Sequence, residues 1–356
     1  MTDTNAMSIS SNDRAQREPV ASASTQEPER TSANVAAVTH TTMNATDAGF
    51  VVVMPVYEDR EASSRLFSEL FAEYGLRVYV VVVDDGSIYQ PVQLEALQNV
   101  GIKGVVITLK RNVGHQRAIS IGLNYVAEHL PEMSCTIVMD SDGEDTPQSI
   151  RKLVEPLQSS QVDVVVAQRK SRVETLRFKA FYVIYKRVFQ ILTGRKISFG
   201  NFMALKPAAL KRLAAMQELW MHVAACVLTS KLRVHTQPVD RGPRFAGKSK
   251  MNFVGLALHG FRALMVFAED VLVRVGIICA FVAVLTVAAS AVAIGLKLAG
   301  FATPGWFSVA LGILLLVFLQ TGALTLMTLM LTGVVRAGAP NQIDYRAYID
   351  VVKHAD

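Results

Sequence analysis

Two long uncharged stretches near the carboxyl end constrain this chain more than any other feature. Val275 to Leu296 contains only apolar and small residues, and Gly305 to Val335 has nothing more polar than Gln320. Crossing the hydrocarbon core of a bilayer takes about 20 such residues in a helix. A short loop containing Pro304 joins the two stretches, so they predict a transmembrane hairpin rather than a buried pair of core helices. Arg262 and Arg274 precede the first stretch and Arg336, Arg346 and Lys353 follow the second, with only Lys297 near the loop between them. Positive charge concentrates on the cytoplasmic side, which places both ends of the hairpin, and any domain attached to them, in the cytoplasm.

The remainder cannot be mostly membrane. Of 356 residues, 51% are hydrophobic and 19% charged, with a mean hydropathy of +0.30. That balance suits a soluble domain joined to a short membrane part. The net charge of +6 and pI near 9.2 fit an anionic partner. No aromatic-basic RNA signature or helix-turn-helix pattern accompanies that charge, so nucleic acid is not expected. Residues 1–48 are rich in Ser, Thr and Ala and lack an apolar run. They are predicted to be disordered and are not a signal peptide, so the segment that follows is expected to stay in the cytoplasm. Cys135, Cys226 and Cys279 lie far apart in apolar runs and read as reduced core or membrane residues.

From Phe50 the chain adopts a repeating rhythm. Phe50 to Met54, Val78 to Val83, Val105 to Thr108, Cys135 to Met139 and Val162 to Ala167 are short, β-branched apolar runs. Helical patterns over Arg60 to Tyr74 and Gly114 to Glu128 separate some of them. Near-continuous apolar strands alternating with helices predict an α/β fold with a mostly parallel sheet covered on both faces. Ligands of such sheets bind beyond the carboxyl ends of the strands, where this chain places its polar clusters. Farther on, Arg172 to Gly194 sets Phe178, Phe181, Tyr182, Tyr185, Val188, Phe189 and Leu192 at helical spacing beside Arg177, Lys179, Lys186 and Arg187. That pattern suits a membrane-interface helix and equally a core-facing one. A second such helix is expected from Phe253 to Asp270.

Asp140-Ser141-Asp142-Gly143-Glu144-Asp145 directly follows a predicted strand. Asp140, Asp142 and Glu144, at alternating positions, can converge on one hard cation, and oxygen ligands of this kind suit Mg2+ or Mn2+ shared with substrate phosphates. A solvated acidic turn is the plainer alternative. An EF-hand loop does not fit, because its downstream Glu and paired helices are missing.

In order, Pro55-Val56-Tyr57, Asp84-Asp85-Gly86-Ser87, Arg111-Asn112-Val113-Gly114 with Ala118, and Asp140-Ser141-Asp142 resemble the family 2 glycosyltransferases of GT-A fold. Arg241 to Lys250 ahead of a membrane hairpin is similar to the polyprenyl-phosphate branch, which includes dolichyl-phosphate mannosyltransferases and bactoprenol glucosyltransferases. The resemblance spans Phe50 to Val335. It implies that Pro55, Val56, Tyr57 and Asp59 line the base and ribose pocket, and that Asp84 and Asp85 contact the nucleotide with Asp140 and Ser141. It also implies that Asp140, Asp142 and Glu144 hold the metal on the diphosphate. Arg169 and Arg177, joined by Lys250, match the region that binds the acceptor phosphate. Glu58-Asp59 stands where the family usually has Asn-Glu, which leaves a uracil or a guanine base open. Glu144 stands where the polyprenyl branch commonly has Gln.

Arg244, Lys248 and Lys250 sit in a Gly-containing loop that can close over a diphosphate and offset leaving-group charge; a solvated basic loop is the alternative. Asp142, Arg244 and Lys248 are accordingly the catalytic candidates, while His115 and His222 have no partner pattern and read as structural. The expected organisation is a disordered segment at 1–48, a GT-A domain at 49–252, an interfacial helix at 253–274, two spans at 275–335 and a cytoplasmic tail at 336–356. The expected reaction is inverting transfer of a sugar from a UDP- or GDP-linked donor to a polyprenyl phosphate at the cytoplasmic membrane. Transfer to a hydroxyl acceptor, with Asp145 or Glu144 as base, competes with it, as does a degenerate sugar-nucleotide-binding scaffold. The sequence admits a homo-oligomer without specifying one.

Overall fold

The computed structural model describes residues 49–169, 176–196, 199–246, 253–301, 303, 305–337 and 343–355. The side chains of 169, 176–184, 253, 254, 256, 336 and 337 fall outside that description. So does the segment 1–48, on which the expectation of disorder falls.

The chain begins with β1 (Phe50–Val56), α1 (Arg60–Tyr74), β2 (Val78–Asp84), α2 (Glu95–Gln98), β3 (Lys103–Leu109) and α3 (His115–His129). It continues through β4 (Thr136–Val138), α4 (Pro147–Val154), β5 (Val164–Arg169), α5 (Leu176–Thr193), β6 (Met203–Leu205), α6 (Pro207–Ala214), α7 (Val223–Thr229) and β7 (Val234–Val239). Three helices follow, α8 (Phe253–Met265), α9 (Ala268–Leu298) and α10 (Trp306–Ala337), and β8 (Ile349–Ala355) ends the described chain.

The strands form one eight-stranded sheet in the order β7-β5-β6-β4-β1-β2-β3-β8. β1, β2, β3 and β4 run parallel, as do β5 and β7, while β6 and β8 run against their neighbours. This is the mostly parallel α/β sheet that the strand rhythm predicts. Every residue of β1 and β2 is buried, which is why both read as unbroken apolar runs rather than alternating ones. Leu66, Phe67 and Leu70 of α1 cover one face of the sheet, each burial contributing about 1.5–3 kcal/mol. On the other face α3 lies so close that a Cβ on Gly122 would stand 2.5 Å from Val53 Cγ1.

Two expectations are corrected. The first apolar run, expected from Phe50 to Met54, continues as β1 through Pro55, which lies opposite Val83. β4 pairs with β1 only as far as Val53, so no ladder partner on that side needs the N–H that proline lacks. The segment 336–356 is more than a tail, because β8 returns to the sheet and pairs antiparallel with β3, from Gly104↔Ala355 to Leu109↔Ile349. Just before β8, Tyr345 Oη donates to Glu128 Oε2 at 2.5 Å and Arg346 pairs with the same carboxylate. Lys110 adds bonds to the carbonyls of Ala347 and Tyr348, both at 3.0 Å.

α9 and α10 are long and apolar enough to cross a membrane, with mean hydropathies of 2.7 and 2.2 over the most apolar 18 residues of each. They pack along each other and leave a large apolar surface exposed, including Phe281, Val292, Leu316 and Leu326. A soluble core pair would bury those residues. The hairpin leaves the domain through α8 and returns to it through β8, so its two ends lie at the same body.

Candidate active site at the carboxyl ends of the strands

The parallel strands end together, and the loops that leave them build the site. At the end of β1 Pro55 and Val56 are buried, whereas Tyr57, just past it, is 43% exposed. Glu58 takes a positive φ of 47°, uncommon for a residue with a Cβ. Its carboxylate collects the backbone N–H groups of Ile88 at 2.6 Å, Tyr89 at 3.1 Å and Gln90 at 2.7 Å. Its own N–H donates to Ser87 Oγ at 2.8 Å. Glu58 therefore ties the loop after β1 to the loop after β2. Asp59 is half-buried at the start of α1.

Asp84 and Asp85 at the end of β2 are both buried. Asp84 accepts from the N–H groups of Ser87 at 2.9 Å and Val92 at 2.8 Å. Asp85 accepts from Val113 at 2.7 Å and Gly114 at 2.9 Å, which fixes the turn between β3 and α3. Burial pushes the Asp85 carboxyl up to about 6, against the pull of those two N–H groups.

The acidic turn follows β4. Glu144 N–H closes on Asp142 Oδ1 at 3.0 Å, and Asp145 is turned inward to accept from Asp140 N–H at 3.2 Å. Between them Gly143 sits at φ 81°, a conformation that favours glycine. A strap from Arg241 to Phe245 lies across this turn. Gly242 N–H donates to Glu144 O at 2.9 Å and Phe245 N–H to Asp142 O at 3.0 Å. The Phe245 ring occupies the space that a Cβ on Gly143 would need, 2.4 Å from it, and Arg65 stacks over that ring at 4.1 Å. Arg244 pairs with Asp142 Oδ2 at 2.6 Å and reaches Glu144 Oε1 at 3.5 Å, while Arg241 pairs with Glu144.

This geometry sets cations against two acids of the expected metal set. Among the described residues no three His, Cys, Asp or Glu side chains group as metal ligands. Glu144 is taken up by two guanidinium groups, because the strap brings cations to the acids from outside the turn. Asp140 and Asp142 remain a pair of hard oxygen donors at the strand end, a set that fits Mg2+ or Mn2+ sharing its coordination with substrate. Ser141, between them, is buried.

His115 reads as structural in the sequence, yet it belongs to this site. Its Nε2 lies 3.2 Å from Asp140 Oδ1 and 3.1 Å from the Asn201 amide. Desolvation in the cleft opposes charge on the ring, but the carboxylates of Asp140, Asp85 and Asp142 outweigh it and raise its pKa. The only signal was its place just after Arg111-Asn112-Val113-Gly114. Of the remaining candidates, Arg244 sits in the site; Lys248 and Lys250 lie outside the described residues, as do the side chains of Arg169 and Arg177.

Residues 51–220 match the family model described as Glycosyl transferase family 2. An undecaprenyl-phosphate 4-deoxy-4-formamido-L-arabinose transferase from Edwardsiella ictaluri is 27% identical over 212 residues, 58% of this chain and 63% of that protein. An uncharacterized glycosyltransferase from Synechocystis sp. is 26% identical over 213 residues, 57% of this chain and 64% of the relative. The chain thus spans a little under two thirds of the length of these relatives. Among solved structures, glucosyl-3-phosphoglycerate synthase from Mycobacterium tuberculosis in complex with Mn2+ and uridine-diphosphate-glucose is 13% identical at a TM-score of 0.46, covering 64% of this chain and 80% of that one.

Proposed function

We propose, on the premise that residues 51–220 are a family 2 glycosyltransferase domain, that the protein transfers a sugar from a nucleotide diphosphate to a polyprenyl phosphate at the cytoplasmic face of a membrane. The observation that carries this reading is the Arg244–Asp142 ion pair at 2.6 Å. It puts a long-chain cation against an acid at the strand end, where a diphosphate can exchange for the carboxylate.

Asp140 and Asp142 would hold Mg2+ or Mn2+, which offsets negative charge on a leaving diphosphate. Arg241 and Arg244 supply further positive charge from the strap, and Lys248 follows them in the sequence. Pro55, Val56, Tyr57 and Asp59 line the nucleotide side, with Asp84 and Asp85 holding the loops that shape it. A lipid phosphate is ionised at neutral pH and needs no base. Its oxygen bonds to the anomeric carbon as the bond from that carbon to the diphosphate breaks, and the nucleoside diphosphate departs with the electron pair. One in-line displacement inverts the configuration. The protein contributes position and charge.

A hydroxyl acceptor would require a base. Asp145 is buried and bonded to the Asp140 N–H, and Glu144 is bound by two arginines, which leaves neither suited to that role. The exposed apolar helices α9 and α10 support a membrane hairpin, and the flanking arginines support a cytoplasmic domain. The return of β8 to the sheet agrees with an even number of crossings.

The test is transfer of radiolabelled sugar from a panel of nucleotide sugars to polyprenyl phosphate. The product should be labile to mild acid and the freed nucleotide a diphosphate. Sugar on polyprenol, or on an acid-stable hydroxyl linkage, would refute the assignment.

A further inference from the structure

Beside the acidic turn, α8 meets the amino ends of α3 and α7. Gln116 of α3 accepts from the Val223 N–H of α7 at 2.7 Å. His222, which caps α7, accepts from the Ala225 N–H through Nδ1 at 3.2 Å, so its ring proton sits on Nε2. That Nε2 lies 3.0 Å from His259 Nε2 on α8, which must then be the acceptor, leaving the His259 proton on Nδ1. Burial, reinforced by mutual repulsion with His259 and by Arg262, pulls His222 down to about 3. Burial, with the charges of His115 and Arg262, pulls His259 down to about 4. The pair is neutral, so Arg262 carries the positive charge that α8 brings to this corner.

Arg262 is placed unusually. Its Nη1 lies 3.9 Å from where a Cβ on Gly114 would stand. Gly114 is held by Asp85 and adjoins His115, whose Nε2 contacts Asp140. Among the described residues Arg262 has no carboxylate partner, unlike Arg241 and Arg244. Around the helix, at about 100° per residue, it falls between His259 and Leu258. His259, Gly260 and Ala263 face the protein. Leu258, Phe261 and Met265 are 52%, 63% and 60% exposed and form an apolar stripe on the opposite side. α9, the first long apolar helix, begins at Ala268. α8 therefore presents one edge to the site and one to a bilayer surface, with a single arginine on the border.

Resting on the polyprenyl-phosphate reading above, we propose that Arg262 binds the phosphate of the acceptor lipid, which reaches the site along the Leu258–Phe261–Met265 edge of α8. The His222–His259 bond positions it by locking α8 against α7. A bidentate guanidinium suits a phosphate monoester, and an arginine at the border meets the head group while the isoprenoid chain stays in the apolar phase. By sequence alone Arg262 is only a charge that orients the hairpin.

The experiment uses the full chain in nanodiscs, with Arg262→Ala and Arg262→Lys. Donor and acceptor are titrated separately, and donor-free binding of a short isoprenyl phosphate is measured by calorimetry beside isoprenol and inorganic phosphate. Loss of one charged contact should raise the acceptor KM of the Ala variant roughly 10- to 100-fold. The donor KM should be retained, which also reports that the variant is folded, and Lys should recover part of the loss. Isoprenyl phosphate binding should weaken in parallel. A wild type that transfers to polyprenyl phosphate beside an Ala variant with unchanged acceptor KM and binding would overturn this assignment and leave the function standing. Inorganic phosphate binding as tightly as isoprenyl phosphate would overturn the lipid route. A wild type that neither binds nor glycosylates isoprenyl phosphate would remove the function itself.

Discussion

Replacing Gly143 with alanine tests whether the strap over the acidic turn matters to the chemistry. The position combines a φ of 81° with a site where a Cβ would stand only 2.4 Å from the Phe245 ring. Alanine in the left-handed region costs about 1–2 kcal/mol. Ordinary contact begins near 3.4 Å, so the ring must retreat by 3.4 − 2.4, or about 1 Å. Phe245 is bonded through its own N–H to Asp142 O, and its displacement carries Arg244 away from Asp142. A misplacement of about 1 Å in a catalytic constellation can cost on the order of 10²-fold. The backbone cost alone should lower the melting temperature by roughly 2–8 °C for a domain of this size. Transfer rates well below the melting transition, together with Tm from intrinsic fluorescence, separate the two effects. Gly143→Ala should lose about 10²-fold in kcat/KM while staying folded at the assay temperature. Adding Phe245→Ala relieves the clash but not the backbone strain, so Tm should stay below wild type and the rate should not recover, since the strap then loses its ring contact with the turn. Wild-type kcat/KM in Gly143→Ala would refute the idea that the strap positions Arg244.

Asp142→Asn should abolish transfer with little change in Tm, and chelation of divalent cations should silence the wild type until Mg2+ or Mn2+ is restored; full activity in excess EDTA would exclude the metal at Asp140 and Asp142. His222 and His259 titrate in the fold at about 3 and about 4, below the ordinary histidine value of 6.5. Their contribution to stability is present above 6.5 and is lost as pH falls from there toward about 4 for His259 and about 3 for His222, because the unfolded chain takes up protons that the fold excludes. The slope is at most about 1.4 kcal/mol per pH unit for each group. His259→Gln keeps an acceptor for His222 and should flatten the acid limb of a Tm-versus-pH curve; parallel curves would count against the neutral pair. Glu128→Ala removes the partner of Tyr345 and Arg346, a contact worth about 1 kcal/mol at this partly exposed position. Amide hydrogen exchange across β8 should accelerate, whereas undisturbed protection would show that the strand pairing holds the carboxyl end without it.

Local patterns sufficed for much of this protein. The strand cores at Val51–Val53 and Val80–Val82, the bounds of α1, the acidic turn and both long apolar helices are each written in a few consecutive residues. Side-chain periodicity directly records which surfaces are covered, and an uncharged run longer than a bilayer is thick has few alternatives. Other features depended on partners distant in the chain. β8 is a half-exposed edge strand whose mixed sequence, Ile349 to Ala355, carries weak periodicity; only the free edge of β3, some 240 residues earlier, defines it as a strand. β6 runs against its neighbours because it returns from α5, which brings Asn201 to the same end as His115. Glu144 was legible as an acid spaced with Asp140 and Asp142, but the strap that delivers Arg241 and Arg244 to it arrives after β7, and spacing within the turn carries no trace of it. Arg262 was legible as a charge near a membrane and no more. Its nearness to Gly114 exists because Phe189, Ala225, Ala263 and Phe267 pack into one apolar cluster and set α8 against α5 and α7. The sequence determined which residues can do chemistry and which segments can be buried, and the packing of distant helices against the strand ends decided which of those residues meet.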